Sequence, residues 1–162
     1  MQKLYFYQTE LGQIRIAENG QAITNLYFPH EQIPANVKIN ETALLKEAGQ
    51  QLQLYFAGSC KAFTLPLAPE GTGFMHGVWE CLRAIPYGET RSYADIAREI
   101  GNNKAYRAVG MANNRNPIPI IIPCHRVIGA NGKLIGYGGG LEIKVYLLEL
   151  EIRYRNHAMQ SS

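Results

Sequence analysis

The stretch NPIPIIIPCHRVIG, residues 116–129, runs from a series of isoleucines through a proline directly into Cys124, His125 and Arg126. A thiol beside an imidazole and a guanidinium has two interpretations. The cysteine is either a buried structural residue with accidental neighbours or a nucleophile supported by the groups around it. A cysteine has an ordinary pKa of about 8.5, so it needs a base or a positive charge nearby to react as a thiolate. The rest of the chain bears on this choice.

His125 is the candidate base. Neighbouring residues of an extended chain point to opposite sides, so contact between Cys124 and His125 needs a turn or one bridging water. The imidazole also needs a group that fixes its tautomer, and Glu151 is the candidate. Helical periodicity in LEIKVYLLELEIRYR (141–155) puts Glu151 on an apolar face, where a carboxylate is costly without a partner. The same spacing is also consistent with Glu151 at the edge of this apolar face, where its carboxylate reaches solvent.

The composition predicts a folded protein that is neither secreted nor embedded in a membrane. Its 162 residues, 46% hydrophobic and 18% charged, suffice for one domain or two small ones. No apolar stretch approaches ~18 residues, and the N-terminus lacks a basic segment followed by an apolar one. We therefore expect a cytoplasmic protein, associated with the nucleoid in a bacterium. The three widely spaced cysteines disfavour a disulfide framework or a structural zinc site.

The secondary-structure pattern changes in the middle of the chain. The first third alternates as β-strands do, with a hairpin signal at Asn19-Gly20, and helical spacing follows at 41–58. A linker rich in Pro and Gly precedes a mostly helical second half. We predict an α/β (α+β) fold with two domains: residues 1–70, a small antiparallel sheet with a helix, and residues 71–162, mostly helical with a helix-turn-helix.

The helix-turn-helix pattern lies in SYADIAREIGNNKAYRAVGMANNRNP, residues 92–117. Ser92 and Asp95 have the spacing of a capping box, and a Gly-containing turn precedes a second helix that starts near Lys104. Many helical hairpins that do not touch DNA have the same pattern. Residues 100–141 contain five Lys and Arg and no Asp or Glu, which suits a polyanion, although a loop-rich region lacking acids has the same composition.

The motif IPCHRVIG (122–129) strongly resembles the active-site motif of the O6-alkylguanine-DNA alkyltransferases, also called methylated-DNA–protein-cysteine methyltransferases. Other segments follow in the family's order and spacing: PYGETRSY (86–93), RAVG (107–110), NPIPIIIPCHRV (116–127) and GYGGG (136–140). The resemblance covers residues 73–151 closely and the N-terminal third loosely. It implies a ribonuclease-H-like N-terminal domain. It also implies an irreversible, stoichiometric transfer of the alkyl group from guanine O6 in DNA to a cysteine.

The resemblance implies five catalytic residues. Cys124 would accept the alkyl group by in-line displacement, His125 would deprotonate it through a water, and Glu151 would hold the histidine. Asn116 matches the asparagine that hydrogen-bonds across the turn before the active-site strand. Tyr93 matches the tyrosine whose hydroxyl faces guanine N3 and whose ring crowds the neighbouring phosphate.

The resemblance also implies a DNA-binding surface and a substrate pocket. Arg107 matches the arginine that enters the base stack after the damaged nucleotide is extruded, and small residues on the second helix suit the minor groove. The implied DNA-binding residues are Tyr93, Ala105, Tyr106, Arg107, Ala108, Gly110 and Arg115. The implied pocket residues are Asn113, Val127, Leu134, Tyr137, Gly138 and Gly139.

Three positions depart from the family pattern. Tyr106 stands where small residues are common, and Asn113 stands where some relatives carry an apolar side chain against bulky alkyl groups. Gly138 offers only its backbone N–H where some relatives have a serine hydroxyl. These departures leave the fit to DNA and the range of accepted adducts open.

The expected partner is double-stranded DNA containing O6-alkylguanine, bound by a monomer without cofactor or metal. Whether O4-alkylthymine is also a substrate is open. One alternative is the alkyltransferase-like group, which binds alkylated DNA without chemistry but lacks the acceptor cysteine that this chain has. The others are a thiol hydrolase using Cys124 and His125, and a DNA-binding module in which Cys124 is inert.

Overall fold

The protein is described from a computed structural model, whose described residues are 1–134, 137 and 139–157. One residue of the predicted pocket, Gly138, lies outside the described residues. Within them, no helix is both long enough and apolar enough to cross a bilayer. The chain divides into two compact units: Met1–Glu70 joined by Asn156 and His157, and Gly71–Arg155.

The first unit is a four-stranded sheet with one helix. Its strands are β1 (Lys3–Thr9), β2 (Gly12–Glu18), β3 (Ile23–Tyr27) and β4 (Lys38–Ile39), in the order β3-β2-β1-β4. The pairings of β1 with β2 and of β2 with β3 are antiparallel, and the short β4 adds a parallel edge to β1. The alternating sequence therefore forms the sheet that its period of two predicts.

Helix α1 (Ala43–Phe56) packs against this sheet. Thr42 caps it, because the Thr42 hydroxyl accepts a hydrogen bond from the Leu45 N–H at 3.2 Å. Gly49 lies where the helix passes Tyr7, and a Cβ there would come within 2.3 Å of the Tyr7 ring. Only glycine allows this close packing of helix on sheet.

The second unit is mostly helical, as predicted. Its elements are α2 (Gly73–Arg83), β5 (Arg91–Ser92), α3 (Tyr93–Glu99), α4 (Tyr106–Asn114), β6 (Val127–Ile128) and α5 (Leu141–Tyr154). Helices α3 and α4 pack together around a turn in which Gly101 has a φ of 83°, and they form the helix-turn-helix. The Trp79 indole N–H donates to the Ala112 carbonyl at 2.9 Å and ties α2 to α4.

The apolar run before Cys124 forms a buried turn. The Ile122 N–H donates to the Ile118 carbonyl at 2.9 Å, and Ile120 has a φ of 72°. A β-branched residue rarely adopts this left-handed conformation, which costs about 1–3 kcal/mol and persists only where the surroundings fix it. Ile118, Ile120, Ile121 and Ile122 are all buried, so apolar packing holds the turn.

Two short strands bring the start of the helix-turn-helix to the reactive segment. Strand β5 pairs in parallel with β6, with Arg91 opposite Val127 and Ser92 opposite Ile128. Because α3 begins at Tyr93, directly after β5, this pairing sets Tyr93 beside the residues that follow Cys124.

The capping box at the start of α3 yields a prediction for stability. The Asp95 N–H donates to the Ser92 hydroxyl at 3.0 Å, and the Ser92 N–H donates to the Asp95 carboxylate at 2.8 Å. Ser92→Ala leaves the first of these donors without its acceptor, so we expect the free energy of unfolding to fall by about 1 kcal/mol. Urea denaturation followed by the fluorescence of Trp79, the single tryptophan, measures it. Ser92→Asn keeps a capping oxygen and should stay near wild type; equal stability of Ser92→Ala and wild type would refute the capping role.

Candidate active site

Residues Cys124–Arg126 form one turn of 3-10 helix rather than a continuing strand. The Arg126 N–H donates to the Pro123 carbonyl at 3.0 Å and closes the turn, after which the chain enters β6. The side chains of Cys124, His125 and Arg126 are all buried. Cys124 and His125 therefore do not lie on an extended chain, whose alternation would place their side chains on opposite sides.

His125 is held by Glu151 of helix α5. The distance from His125 Nε2 to Glu151 Oε2 is 2.6 Å, and Glu151 is only 1% exposed. Because an ionised carboxylate only accepts hydrogen bonds, the proton lies on Nε2 and the basic lone pair on Nδ1. Among the described residues, Nδ1 has no hydrogen-bond partner. Burial lowers the pKa of His125, although Glu151 opposes this, so the ring is neutral at pH 7 and can take a proton.

Arg126 binds the same carboxylate with two hydrogen bonds. Its Nε donates to Glu151 Oε1 at 2.8 Å and its Nη2 to Oε2 at 3.0 Å, while Nη1 donates to the Ile85 carbonyl at 2.8 Å. The guanidinium also lies over the Tyr87 ring, 5.6 Å from its centroid. The Gly88 N–H adds a further donor to Glu151 at 3.1 Å. The carboxylate is therefore paired on both oxygens.

These partners keep Glu151 ionised despite its burial. Burial alone would raise the pKa of Glu151, but hydrogen bonds from His125 and Arg126, together with the positive charge of Arg126, hold it well below its usual range. A buried carboxylate without such partners would instead take up a proton. The group that orients the histidine therefore stays negative at neutral pH.

Cys124 is a thiol at neutral pH and is surrounded by polar side chains. Burial raises its pKa to about 11, although side-chain hydrogen bonds with Asn116 and Tyr137 and the charge of Lys144 act in the opposite direction. Lys144 of α5 is 0% exposed, and burial lowers its pKa to about 8, with Cys124 opposing the shift. At pH 7 Lys144 is still mainly protonated. The thiol needs a base, and a buried cation is available to stabilise the anion that results.

Asn116 clamps the turn that leads to Cys124. Its Oδ1 accepts from the Ile118 N–H at 2.9 Å, and its Nδ2 donates to the Ile122 carbonyl at 2.8 Å. These two bonds close the segment between α4 and the reactive residue. Asn116 therefore acts on the position of Cys124 as well as contacting it.

Asn113, in the last turn of α4, contacts the main chain of Cys124. It is 1% exposed, and its Nδ2 donates to the Cys124 carbonyl at 3.2 Å. Its Oδ1 is buried and has no hydrogen-bond partner in the part of the chain that the structure describes. A polar side chain thus lines the reactive residue at a predicted pocket position.

Apart from Tyr93, the first residue of α3, the predicted DNA-binding residues lie along α4 and its ends. Tyr106 is 49% exposed and its ring lies 6.0 Å from the Arg107 guanidinium carbon. Gly110 faces Tyr93, since a Cβ there would meet the Tyr93 ring at 3.8 Å. The remaining members are exposed or half-buried on the same helix or directly beside it: Ala105 before its first residue, Ala108 within it and Arg115 after its last.

The other predicted pocket residues differ in burial. Val127 is fully buried in β6, so its side chain belongs to the core and only its backbone is available. Tyr137 and Gly139 are buried, whereas Leu134 is 36% exposed at the surface. The structure therefore brings Tyr137 to Cys124 and leaves Leu134 outside the buried cluster.

Two residues of the cluster, Arg126 and Lys144, were not among the predicted site residues. Lys144 lies seven residues before Glu151, which is two helical turns on one face of α5, and this spacing was available in the sequence. Arg126 follows His125 directly, but its contact with Glu151 is tertiary and has no local signal. Among the described residues, no cluster of three or more His, Cys, Asp and Glu side chains could hold a metal ion.

The two hydrogen bonds from Arg126 to Glu151 predict that replacing Arg126 strongly lowers the stability of the protein. Arg126→Met leaves the buried Glu151 carboxylate with fewer donors, so we expect a loss of about 3–5 kcal/mol in the free energy of unfolding. The control is Arg98→Met, because Arg98 pairs with Asp95 at side-chain exposures of 62% and 36%. An exposed pair is worth about 0–1 kcal/mol. Urea denaturation of both variants measures the difference.

The same variant should change the dependence of stability on pH. In the wild type the depressed pKa of Glu151 contributes stability above the unfolded value of about 4.3, and this contribution is lost as pH falls toward the folded pKa. With Arg126 replaced, the pKa of Glu151 is less depressed, so the loss on acidification should be smaller. An Arg126→Met protein with wild-type stability and the same acid dependence would contradict this account.

Both parts of the chain are similar to one family of known proteins. Residues 73–153 match the family described as 6-O-methylguanine DNA methyltransferase, DNA binding domain, and residues 3–69 match its ribonuclease-like domain. The methylated-DNA--protein-cysteine methyltransferase of Methanosarcina acetivorans is 52% identical over 149 residues, 90% of this chain and 95% of the relative. The constitutive enzyme of that name from Bacillus subtilis is 52% identical over 151 residues, 89% of this chain and 92% of the relative.

A solved structure gives the same result. A crystal structure of Mycobacterium tuberculosis OGT in complex with DNA superposes with a TM-score of 0.89 at 44% identity, covering 97% of this chain and 95% of that chain. Both family domains, the predicted α+β fold and relatives of about half-identical sequence thus agree over nearly the whole length. The chain belongs to the 6-O-methylguanine DNA methyltransferase family.

Proposed function

We propose that this protein repairs DNA by moving the alkyl group of O6-alkylguanine irreversibly to Cys124, one lesion for each protein molecule. The observation that carries the proposal is the buried set of Cys124, His125 and Glu151, in which His125 Nε2 is bound to Glu151 and Nδ1 has no partner among the described residues. The relatives' names and the DNA complex of the Mycobacterium tuberculosis protein support it. The reaction requires the cell's DNA, so we place the protein in the cytoplasm, at the nucleoid in a bacterium.

The chemical step begins with loss of the thiol proton. His125 Nδ1 accepts the proton of Cys124 through a water, and the Glu151 carboxylate balances the positive charge that develops on the ring. Because the pKa of the thiol is about 11, little thiolate exists at pH 7 before this transfer. The Lys144 ammonium stabilises the sulfur anion as it forms.

The sulfur then displaces the base. Its electron pair forms the S–C bond as the C–O6 bond breaks, and those electrons pass to the guanine ring, which takes up a proton to become ordinary guanine. The Tyr93 hydroxyl, by the family resemblance, donates to guanine N3 as negative charge builds on the ring. The product is a thioether on Cys124, which no group in the proposed mechanism removes, so the transfer ends the protein's activity.

Access to the lesion requires extrusion of the base, because the O6 carbon is hidden within a stacked duplex. We assign helix α4 to the minor groove, with Arg107 filling the space that the base leaves. The exposure of Arg107 and Ala108, with Tyr106 beside them, supports this assignment. A monomer suffices for it, since the proposed groups all come from one chain.

The non-catalytic alkyltransferase-like group is not favoured. Its members lack the acceptor cysteine, whereas this chain has Cys124, followed directly by His125 with its Glu151 partner and coupled to the buried Lys144. A structural cysteine would have no need of these groups. The geometry therefore supports transfer rather than binding alone.

The central experiment is mass spectrometry after mixing the protein with a duplex that contains one O6-methylguanine. We expect the Cys124 peptide to gain one methylene in mass, with a yield that cannot exceed one methyl per protein. Cys124→Ala should bind the duplex and transfer nothing, because it lacks only the sulfur.

The matched control is Cys81→Ala, which removes a partly exposed cysteine outside the cluster and should keep full transfer. Methylation of Cys60 or Cys81 in place of Cys124, or repeated turnover of the lesion, would refute the proposal.

Arg107 yields a second prediction. Arg107→Ala should slow single-turnover methyl transfer from a duplex at least tenfold, because extrusion costs a few kcal/mol and the side chain no longer offsets it. Transfer from the same lesion in a single strand should change much less, since the base is already unpaired. Arg83→Ala removes a positive charge from α2 and serves as the control. Equal slowing in duplex and single strand would remove Arg107 from the extrusion step.

A further inference from the structure

The side-chain oxygen of Asn113 is a buried hydrogen-bond acceptor without a donor. The Asn113 amide is fixed in orientation, because the Cys124 carbonyl can only accept and therefore must face the Nδ2 group, at 3.2 Å. Oδ1 consequently lies on the other side of the amide, where none of the described residues donates to it. Asn113 as a whole is 1% exposed, so bulk solvent does not satisfy this atom.

A buried acceptor such as Asn113 Oδ1 is stable only with a hydrogen-bond donor. Buried polar groups are nearly always hydrogen-bonded in folded proteins, and each exception has a cause such as strain, a catalytic role or a bound water or ion. Two orphan acceptors flank the reactive residue among the described groups, His125 Nδ1 and Asn113 Oδ1. The first has a use in the proposed mechanism, as the base that takes the thiol proton. The second has none.

The position of Asn113 limits what its partner can be. The amide touches the main chain of Cys124, and the alkyl carbon must approach the Cys124 sulfur within about 3–3.5 Å to react. The extruded base that carries this carbon is therefore within reach of the amide. The missing donor is then expected on the substrate.

The chemistry of the base identifies that donor. In O6-alkylguanine within DNA, N1, N3 and N7 are acceptors and O6 is an ether, so the exocyclic 2-amino group is the single N–H donor on the base. O4-alkylthymine has no N–H group at all, because its N3 is unprotonated and its O2 accepts. A simple alkyl group adds no donor to either base.

We propose that Asn113 Oδ1 accepts a hydrogen bond from the 2-amino group of the extruded base. This makes Asn113 a specificity-determining residue that favours O6-alkylguanine over O4-alkylthymine. The inference rests on the proposed function, since it assigns a substrate contact within the same site. The discrimination arises because a base without a donor leaves the buried oxygen unpaired in the reacting complex.

The test compares single-turnover methyl transfer from three duplexes that contain O6-methylguanine, O6-methylhypoxanthine or O4-methylthymine. O6-methylhypoxanthine is the same purine without the 2-amino group. We expect the wild type to react at least tenfold more slowly with it than with O6-methylguanine, and more slowly still with O4-methylthymine. Asn113→Met and Asn113→Ala should bring the ratio of the two purine rates close to one.

The ratio of rates within one variant does not depend on how much of the protein is active, so partial misfolding does not obscure it. Asn114→Ala changes the exposed neighbour on α4 and should keep the wild-type ratio. If the wild type reacts with O6-methylguanine and O6-methylhypoxanthine at rates within about twofold of each other, the inference is overturned, even if neither variant folds. The inference is also overturned if an Asn113 variant keeps the wild-type preference for O6-methylguanine. The proposed function fails separately, if the wild type transfers no methyl from O6-methylguanine to Cys124.

Discussion

The site depends on one buried carboxylate. Glu151 accepts hydrogen bonds from His125, from two nitrogens of Arg126 and from the Gly88 N–H, so three separate parts of the chain meet at its two oxygens. Removing such a group from water is costly, and only this number of donors makes it stable as an anion. The result is a histidine with a defined tautomer beside a thiol. The chemistry and the folding of the second unit therefore share one interaction.

Burial has opposite effects on the reacting groups, and the combination explains how the site stays inert until a substrate arrives. It raises the pKa of Cys124 and lowers the pKa of His125 and Lys144. The sulfur is therefore protonated at rest, which protects it from adventitious oxidation and alkylation, while the base next to it is free to act. In the proposed mechanism, reactivity is created during the transfer step and is not stored in a standing thiolate.

Residue spacing within single helices predicted part of the structure around the active site. The capping box of Ser92 with Asp95 and the burial of Glu151 on the apolar face of α5 follow from spacing within one helix, and both are found. Arg126 could not be found in this way, because its role depends on contact with residues 25 or more positions away. The left-handed conformation of Ile120 has no local signal, because isoleucines favour extended structure and tertiary packing overrides that preference here. Lys144 was missed because lysines on helices usually reach solvent.

The burial of Cys124 has a consequence for the protein after it has reacted. The Cys124 side chain is only 3% exposed, so an alkyl group on its sulfur adds volume to a packed site. Extra carbons in a well-packed interior displace neighbouring side chains and typically cost about 1–3 kcal/mol. A spent molecule should therefore be less resistant to opening than a fresh one, and cellular proteases that act on transiently opened chains would clear it first.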